Sequence, residues 1–135
     1  MGLPGSGKTL FAEHLTEKLV SKGKSVDWFN ADKVREFYND WDFTHEGRIR
    51  QATRLRQLAT SSECEYVVCD FVAPLPLSRI IFDPDLIIWM DTIEASVYVD
   101  TNKMFTPPAY PEYRVTNYDD SRNTVLTDVI KRLIP

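Results

Sequence analysis

The sequence predicts an α/β fold in which a parallel sheet is covered by helices on both faces, giving three layers. Three observations predict it. Strand-like and helix-like segments alternate along the chain, separated by turn residues. Two mainly apolar runs, Tyr66 to Phe71 and Leu86 to Asp91, have the composition of parallel strands buried on both sides. A glycine-rich segment, Gly2 to Thr9, runs directly into an amphipathic stretch. The chain has 135 residues, 43% of them hydrophobic, with no repeat or linker, so one domain spanning 1–135 with a real core is expected.

The elements follow in order. In residues 9–22, Phe11, Leu15 and Leu19 recur at helical spacing, and Gly23 supplies the C-terminal stop. Val26 to Asn30 reads as a short strand, followed by a short helix from about Asp32 to Tyr38. Thr44 is the N-cap of a longer helix whose buried stripe is Ala52, Leu55, Leu58 and Ala59. Between the two apolar strands, Pro74, Pro76 and Pro84 confine a helix to about 77–82. The proline-rich stretch from Asp100 to Pro111 reads as a loop, the core of a short lid or flap at about 100–112. Tyr113 to Thr116 forms a last strand, and Asp119 or Asp120 opens a final helix to Leu133, for a sheet of four or five strands.

Composition excludes several functions. There are 16 Lys+Arg against 20 Asp+Glu, a net charge of -4, whereas a general nucleic-acid binder needs a basic footprint. No apolar run is long enough to cross a bilayer and no signal peptide opens the chain, so cytoplasmic residence away from membranes is expected. Cys64 and Cys69 read as reduced thiols, and His14 and His45 as ordinary surface residues, with no ligand cluster around either pair.

The chemistry lies in Gly2-Leu3-Pro4-Gly5-Ser6-Gly7-Lys8-Thr9, which fits G-x-x-x-x-G-K-[ST] without a mismatch. Glycines let successive backbone N–H groups turn inward on phosphate oxygens, and the following helix presents its positive end to the same anion. Lys8 is the mobile charge for the β- and γ-phosphates, and the Thr9 hydroxyl is a ligand for Mg²⁺ carried with ATP. The fold class is therefore a P-loop NTPase-type three-layer sandwich. That motif ordinarily follows a buried strand, and here it begins at residue 2. The first, central strand is absent from this sequence, and the expectation is that the polypeptide starts upstream or that the structure compensates.

Four segments in order, GLPGSGKT, NADKVR, DFTHEGRIRQATR and FVAP, resemble the adenylylsulfate kinase family over roughly residues 1–80. That family carries GLxGSGKS/T, D-G-D-N-V-R, G-F-S-x-x-D-R-x-E-N-x-R-R and F-I-S-P at similar spacing. The resemblance implies transfer of the ATP γ-phosphoryl group to the 3′-hydroxyl of adenylylsulfate, giving PAPS, in a protein that often forms a homodimer. By position it implies that Lys8 and Asp32 are catalytic, Asp32 steering or deprotonating the acceptor hydroxyl, although Asp32 also reads as the N-cap of the short helix. It implies that Arg35, Arg48 and Gln51 hold the acceptor and that Phe43 stacks on its base; a surface arginine and a core phenylalanine are the plainer readings of Arg35 and Phe43. Val72 and Ala73 fall on the substrate-contacting Ile-Ser pair. Lys103 falls in the lid as its positive charge, and Phe105 as a residue stacking on adenine. Of Arg50, Arg54 and Arg56, only Arg54 matches a family arginine.

The departures are specific. Asn30 stands where the family has its first Asp, and Ala73 removes a hydroxyl. Asp70, at the end of an apolar strand, occupies the place of a Walker B carboxylate that holds Mg²⁺ through water. About twenty lid residues of the family pattern are missing. Two alternatives therefore stand beside an adenylylsulfate kinase: a P-loop kinase for another small-molecule, nucleotide or polynucleotide acceptor, and a nucleotide-binding protein without transfer chemistry.

Overall fold

The computed structural model describes every residue, Met1–Pro135. Helix α1 (Lys8–Ser21) starts at Gly7 in the left-handed conformation and buries Phe11, Ala12, Leu15 and Leu19, the face set by their spacing. It stops where Gly23 takes a φ of 79° and Gly23 and Lys24 donate back to the carbonyls of Val20 and Leu19. Strand β1 (Val26–Asn30) passes without a loop into α2 (Ala31–Tyr38). The cap of α2 is Asn30, whose side chain accepts from the Lys33 N–H, so the capping role considered for Asp32 belongs to the residue two positions earlier.

Helix α3 (His45–Ser61) is capped by Thr44, which accepts from the Gly47 N–H, and buries Ala52 and Leu55 fully; Leu58 and Ala59 are only half-buried. Strand β2 (Tyr66–Asp70), helix α4 (Pro76–Phe82) and strand β3 (Ile88–Met90) follow, then α5 (Val99–Met104), β4 (Tyr113–Val115) and α6 (Asp120–Leu133). The expected loop over Asp100 to Pro111 thus begins with a helical turn and a half. Asp100 in its first turn and Lys103 in its last suit the helix dipole, Asn102 exchanges hydrogen bonds with Ser96, and the helix ends before Pro107.

All strand pairing is parallel, but in two separate pairs. β1 pairs with β2, from Val26 opposite Tyr66 to Asn30 opposite Asp70, and β3 pairs with β4, from Ile88 opposite Tyr113 to Met90 opposite Val115. Between the pairs lie Met1 and Gly2, which hydrogen-bond to both sides. Two apolar clusters cover the two faces. One joins α1 and α6 around Leu19, Val115 and Val129, and the other joins α2 and α3 around Val34, Ala52 and Leu55, with Phe82 of α4 packed against it. No helix is long and apolar enough to cross a membrane.

Candidate active site

The site forms where the C-terminal ends of β1, β2 and β3 meet the start of α1, the usual crevice of a parallel α/β sheet. Gly2, Gly5 and Gly7 all have positive φ, and the first N–H groups of α1 have no partner within the helix. A Cβ on Gly2 would lie 2.5 Å from the carbonyl oxygen of Met90, a backbone atom that cannot swing aside. Gly2→Ala is expected to cost about 2 kcal/mol from strain and clash, measured as a lowered denaturation midpoint together with weaker ATP binding.

Lys8 folds over the loop and donates to the Leu3 carbonyl at 2.9 Å. Burial lowers its pKa to about 8, against the raising effect of Asp70 and Asp32. Two distant side chains fix the loop from outside: the Tyr118 hydroxyl donates to Gly5 O at 2.8 Å, and the Thr92 hydroxyl to Ser6 O at 2.7 Å.

Below the loop, Asp70 collects three donors. Trp28 Nε1 reaches it at 2.7 Å, Asn30 Nδ2 at 3.1 Å, and the Thr9 hydroxyl at 3.4 Å. Asn30 also donates to Thr9 Oγ1 at 3.2 Å. Burial raises the pKa of Asp70, opposed by the Trp28 and Asn30 hydrogen bonds and then by the charge of Lys8. Thr9 Oγ1 and the Asp70 carboxylate are hard oxygen donors side by side at the phosphate end of the sheet. They fit a Mg²⁺ ion, which keeps most of its water and takes one or two protein oxygens with the phosphates.

The other wall is built from α2, α3 and the segment between them. Arg35 is buried; its Nη1 donates to the carbonyls of Asp40 and Asp42 at 3.0 and 3.1 Å, and burial lowers its pKa. It therefore anchors the 40–42 segment while its guanidinium lies 4.5 Å from the Phe43 ring centre. Arg48 lies 4.8 Å from the same ring and is only 8% exposed. Its Nη2 donates to Thr101 on α5 at 2.8 Å, but its Nε has no partner and no carboxylate pairs with it. Burial, then the charge of Arg35, lowers its pKa to about 10. Gln51 donates to Ala31 O at 3.0 Å and leaves its Oε1 unpartnered. Phe43 is 48% exposed and lies beside Trp41.

Among the remaining sequence candidates, Asp32 is exposed on the first turn of α2 and makes no side-chain hydrogen bond, yet is close enough to raise the pKa of Lys8. Ala73 is buried with a φ of 48°, and its carbonyl accepts from Arg79 Nε at 3.1 Å. Arg79 also donates to Thr106 O, tying the lid to the strand end beside Val72 and Ala73. Lys103 is exposed on α5, and the half-buried Phe105 ring centre lies 5.9 Å from the Arg79 guanidinium. Arg54 pairs with Asp40 at 2.8 Å and Arg50 with the same carboxylate, so both brace the 40–42 segment from outside. Trp28, Thr92, Thr101 and Tyr118 have no signal in the sequence, because each acts through a partner far along the chain.

A family model described as adenylylsulphate kinase matches residues 1–103. A probable adenylyl-sulfate kinase of Aeropyrum pernix is 35% identical over 81 residues, 58% of this chain and 44% of that protein. A cytidine diphosphoramidate kinase of Campylobacter jejuni is 36% identical over 58 residues, 43% of this chain and 34% of that protein. The match thus spans less than half the length of either relative. An APS kinase of Mycobacterium tuberculosis, solved with AMPPNP and APS, superposes with a TM-score of 0.82 at 24% identity, covering 100% of this chain and 95% of that one. A cysteine variant of that kinase gives a TM-score of 0.76 at 26% identity, covering 100% and 94%. The α/β architecture with parallel strands is the one these structures share.

Proposed function

The chain belongs to the adenylylsulphate kinase family, and from that premise we propose that it transfers the γ-phosphoryl group of ATP to the 3′-hydroxyl of adenylylsulfate, releasing ADP and forming PAPS. The loop N–H groups and the first turn of α1 bind the ATP phosphates. Lys8 exchanges the Leu3 carbonyl for phosphate oxygens. A Mg²⁺ ion held at Thr9 and Asp70 would neutralise charge on the transferring phosphates. Asp32, free of other hydrogen bonds at the edge of the crevice, orients the acceptor hydroxyl and takes its proton as the new P–O bond forms and the bond to ADP breaks.

The observation that carries this reading is Arg48. A buried guanidinium with no carboxylate and an unpartnered Nε is costly unless an anion completes it. It lies against Phe43, whose exposed ring is a platform for a base. Together they suit an acceptor that is aromatic at one end and anionic at the other. Arg35 supports the platform, Gln51 offers an acceptor oxygen, Val72 and Ala73 line the strand end, and Lys103 and Phe105 belong to the lid.

Arg48→Met is accordingly expected to raise the acceptor KM at least ~30-fold while the ATP KM changes less than about twofold. Steady-state kinetics with each substrate varied in turn measures both.

A second acceptor is favoured by one set of observations: the likeness to a cytidine diphosphoramidate kinase, together with Ala73 at a hydroxyl position. The deciding experiment incubates the protein with γ-labelled ATP, Mg²⁺ and each of adenylylsulfate and cytidine diphosphoramidate. Label in PAPS is the expected result. Label in the cytidine compound transfers the reading to that acceptor, and ATP binding without acceptor-dependent transfer overturns both.

A further inference from the structure

Helix α5 buries one side chain, and that side chain is a hydroxyl. Val97, Tyr98 and Val99 at its start are exposed, whereas Thr101 is 7% exposed. A helix that leaves its apolar residues outside and turns a threonine inward gains little from burial, so the position is set by polar bonding. The bond is the one with Arg48. Nη2 donates to Thr101 Oγ1 at 2.8 Å between elements 53 positions apart, and the hydroxyl makes no other hydrogen bond. The helix is braced at both ends to hold it there. Asn102 Nδ2 donates to Ser96 O at 2.8 Å, and its Oδ1 accepts from the Ser96 N–H at 2.9 Å. Beyond the helix, the Thr106 N–H donates to Pro74 O at 2.9 Å, and Arg79 donates to Thr106 O.

Arg48 has no other hydrogen-bond partner to aim it. Its contact with the Phe43 ring fixes a separation, 4.8 Å, and not a rotation of the guanidinium. No carboxylate pairs with it, and the charges coupled to it are those of two cations, Arg35 and Lys8. A carboxylate at position 101 would aim the guanidinium too, but it would neutralise the charge and compete with an incoming anion. A hydroxyl aims it and leaves the full charge, with the unpartnered Nε–H, for a ligand.

We infer that Thr101 is a positioning residue of the acceptor site: from α5 it holds Arg48 in the orientation that presents Nε to the anionic group of the acceptor, and so sets acceptor affinity without acting on ATP. The inference rests on the reading of Arg48 as the acceptor's anion contact. It makes α5 part of the acceptor wall.

The test compares Thr101→Val, which keeps the shape and removes the hydroxyl, with Thr101→Ser, which keeps the hydroxyl, each alone and combined with Arg48→Met. Steady-state kinetics are measured with adenylylsulfate and with cytidine diphosphoramidate. The Arg48 Nε–Hε signal, identified by its loss in Arg48→Met, is followed by NMR with no acceptor present. Thr101→Val is expected to raise the acceptor KM ~10-fold with kcat and the ATP KM within about twofold of the parent, and to speed exchange of the Arg48 Hε proton with water ~10-fold. Thr101→Ser stays within about twofold of the parent in both, and in the Arg48→Met background Thr101→Val changes the acceptor KM less than about twofold. Equal losses in the Val and Ser variants, a fall in kcat in place of the rise in KM, or an undiminished effect in the Arg48→Met background show that Thr101 acts other than through Arg48 and overturn the inference. If the parent transfers to neither acceptor, the functional reading fails and the NMR signal decides alone. A signal unchanged by Thr101→Val overturns the inference, and one loosened by Val and kept by Ser supports the hold of Thr101 on the guanidinium.

Discussion

Lys8→Met is expected to reduce phosphoryl transfer by at least ~10³-fold and, at the same time, to make the ligand-free protein more stable. The first effect follows from the only mobile cation on the loop being lost where charge develops on the transferring phosphoryl group. The second follows from the ligand-free geometry. Without phosphates, the ammonium is held against one backbone carbonyl under the loop, and burial lowers its pKa from 10.5 to about 8. Methionine keeps the packing of the stem and removes the charge.

The sign is checked by pH. Between about 8 and 10.5 the unfolded chain still holds the lysine proton that the folded chain has released, so the Lys8 contribution to ligand-free stability rises with pH across that window, opposed above about 9 by Cys69, whose thiol burial pushes up to about 12. In Lys8→Met that rise is absent. Bound ATP reverses the preference by supplying the anion. Denaturant midpoints at pH 7 and pH 10, with and without ATP, read all of this. A variant less stable than the parent at pH 7 without ATP would show that the lysine is not strained there.

What was legible in the sequence was what is local. The phosphate loop is eight consecutive residues, α1 and α3 declare themselves by the spacing of Leu15, Leu19, Ala52 and Leu55, and Thr44 caps α3 as its residue type suggests. Arg48 and Gln51 could be placed together because three residues apart on a helix is one face. What could not be read depends on register and distance. Trp28 meets Asp70 only because β1 and β2 pair with Asn30 opposite Asp70. Tyr118 reaches Gly5 across 113 positions. Arg35 reads as an acceptor contact or a surface arginine, and its burial and the two carbonyls that its Nη1 holds show only once the following turn folds back on it. The turn of helix at Val99–Met104 was hidden by its polarity and by the prolines beyond it, since so short a helix has no apolar period to show.

Asn30→Asp, a change of one atom, is expected to destabilise the protein by about 3 kcal/mol, lowering the thermal midpoint by about 10 °C, and to cut transfer with it. The helix cap is not the reason, because an Asp accepts from the Lys33 N–H as well as an Asn does. The cost arises on the other side of the group. Asn30 Nδ2 lies 3.1 Å from one oxygen of Asp70, 3.2 Å from the other, and 3.2 Å from Thr9 Oγ1. Aspartate there withdraws a donor from each and sets a second carboxylate against a buried first one. The site therefore has room for one carboxylate at positions 30 and 70, and the amide must stand opposite it. The double variant Asn30→Asp with Asp70→Asn restores that arrangement in mirror form, with Trp28 still donating to residue 70, and is expected to recover at least half of the lost stability. A double-mutant cycle on thermal midpoints and on transfer rate measures the coupling. If the single variant melts with the parent, or the double variant no higher than the single, the two positions are not exchanging one charge between them.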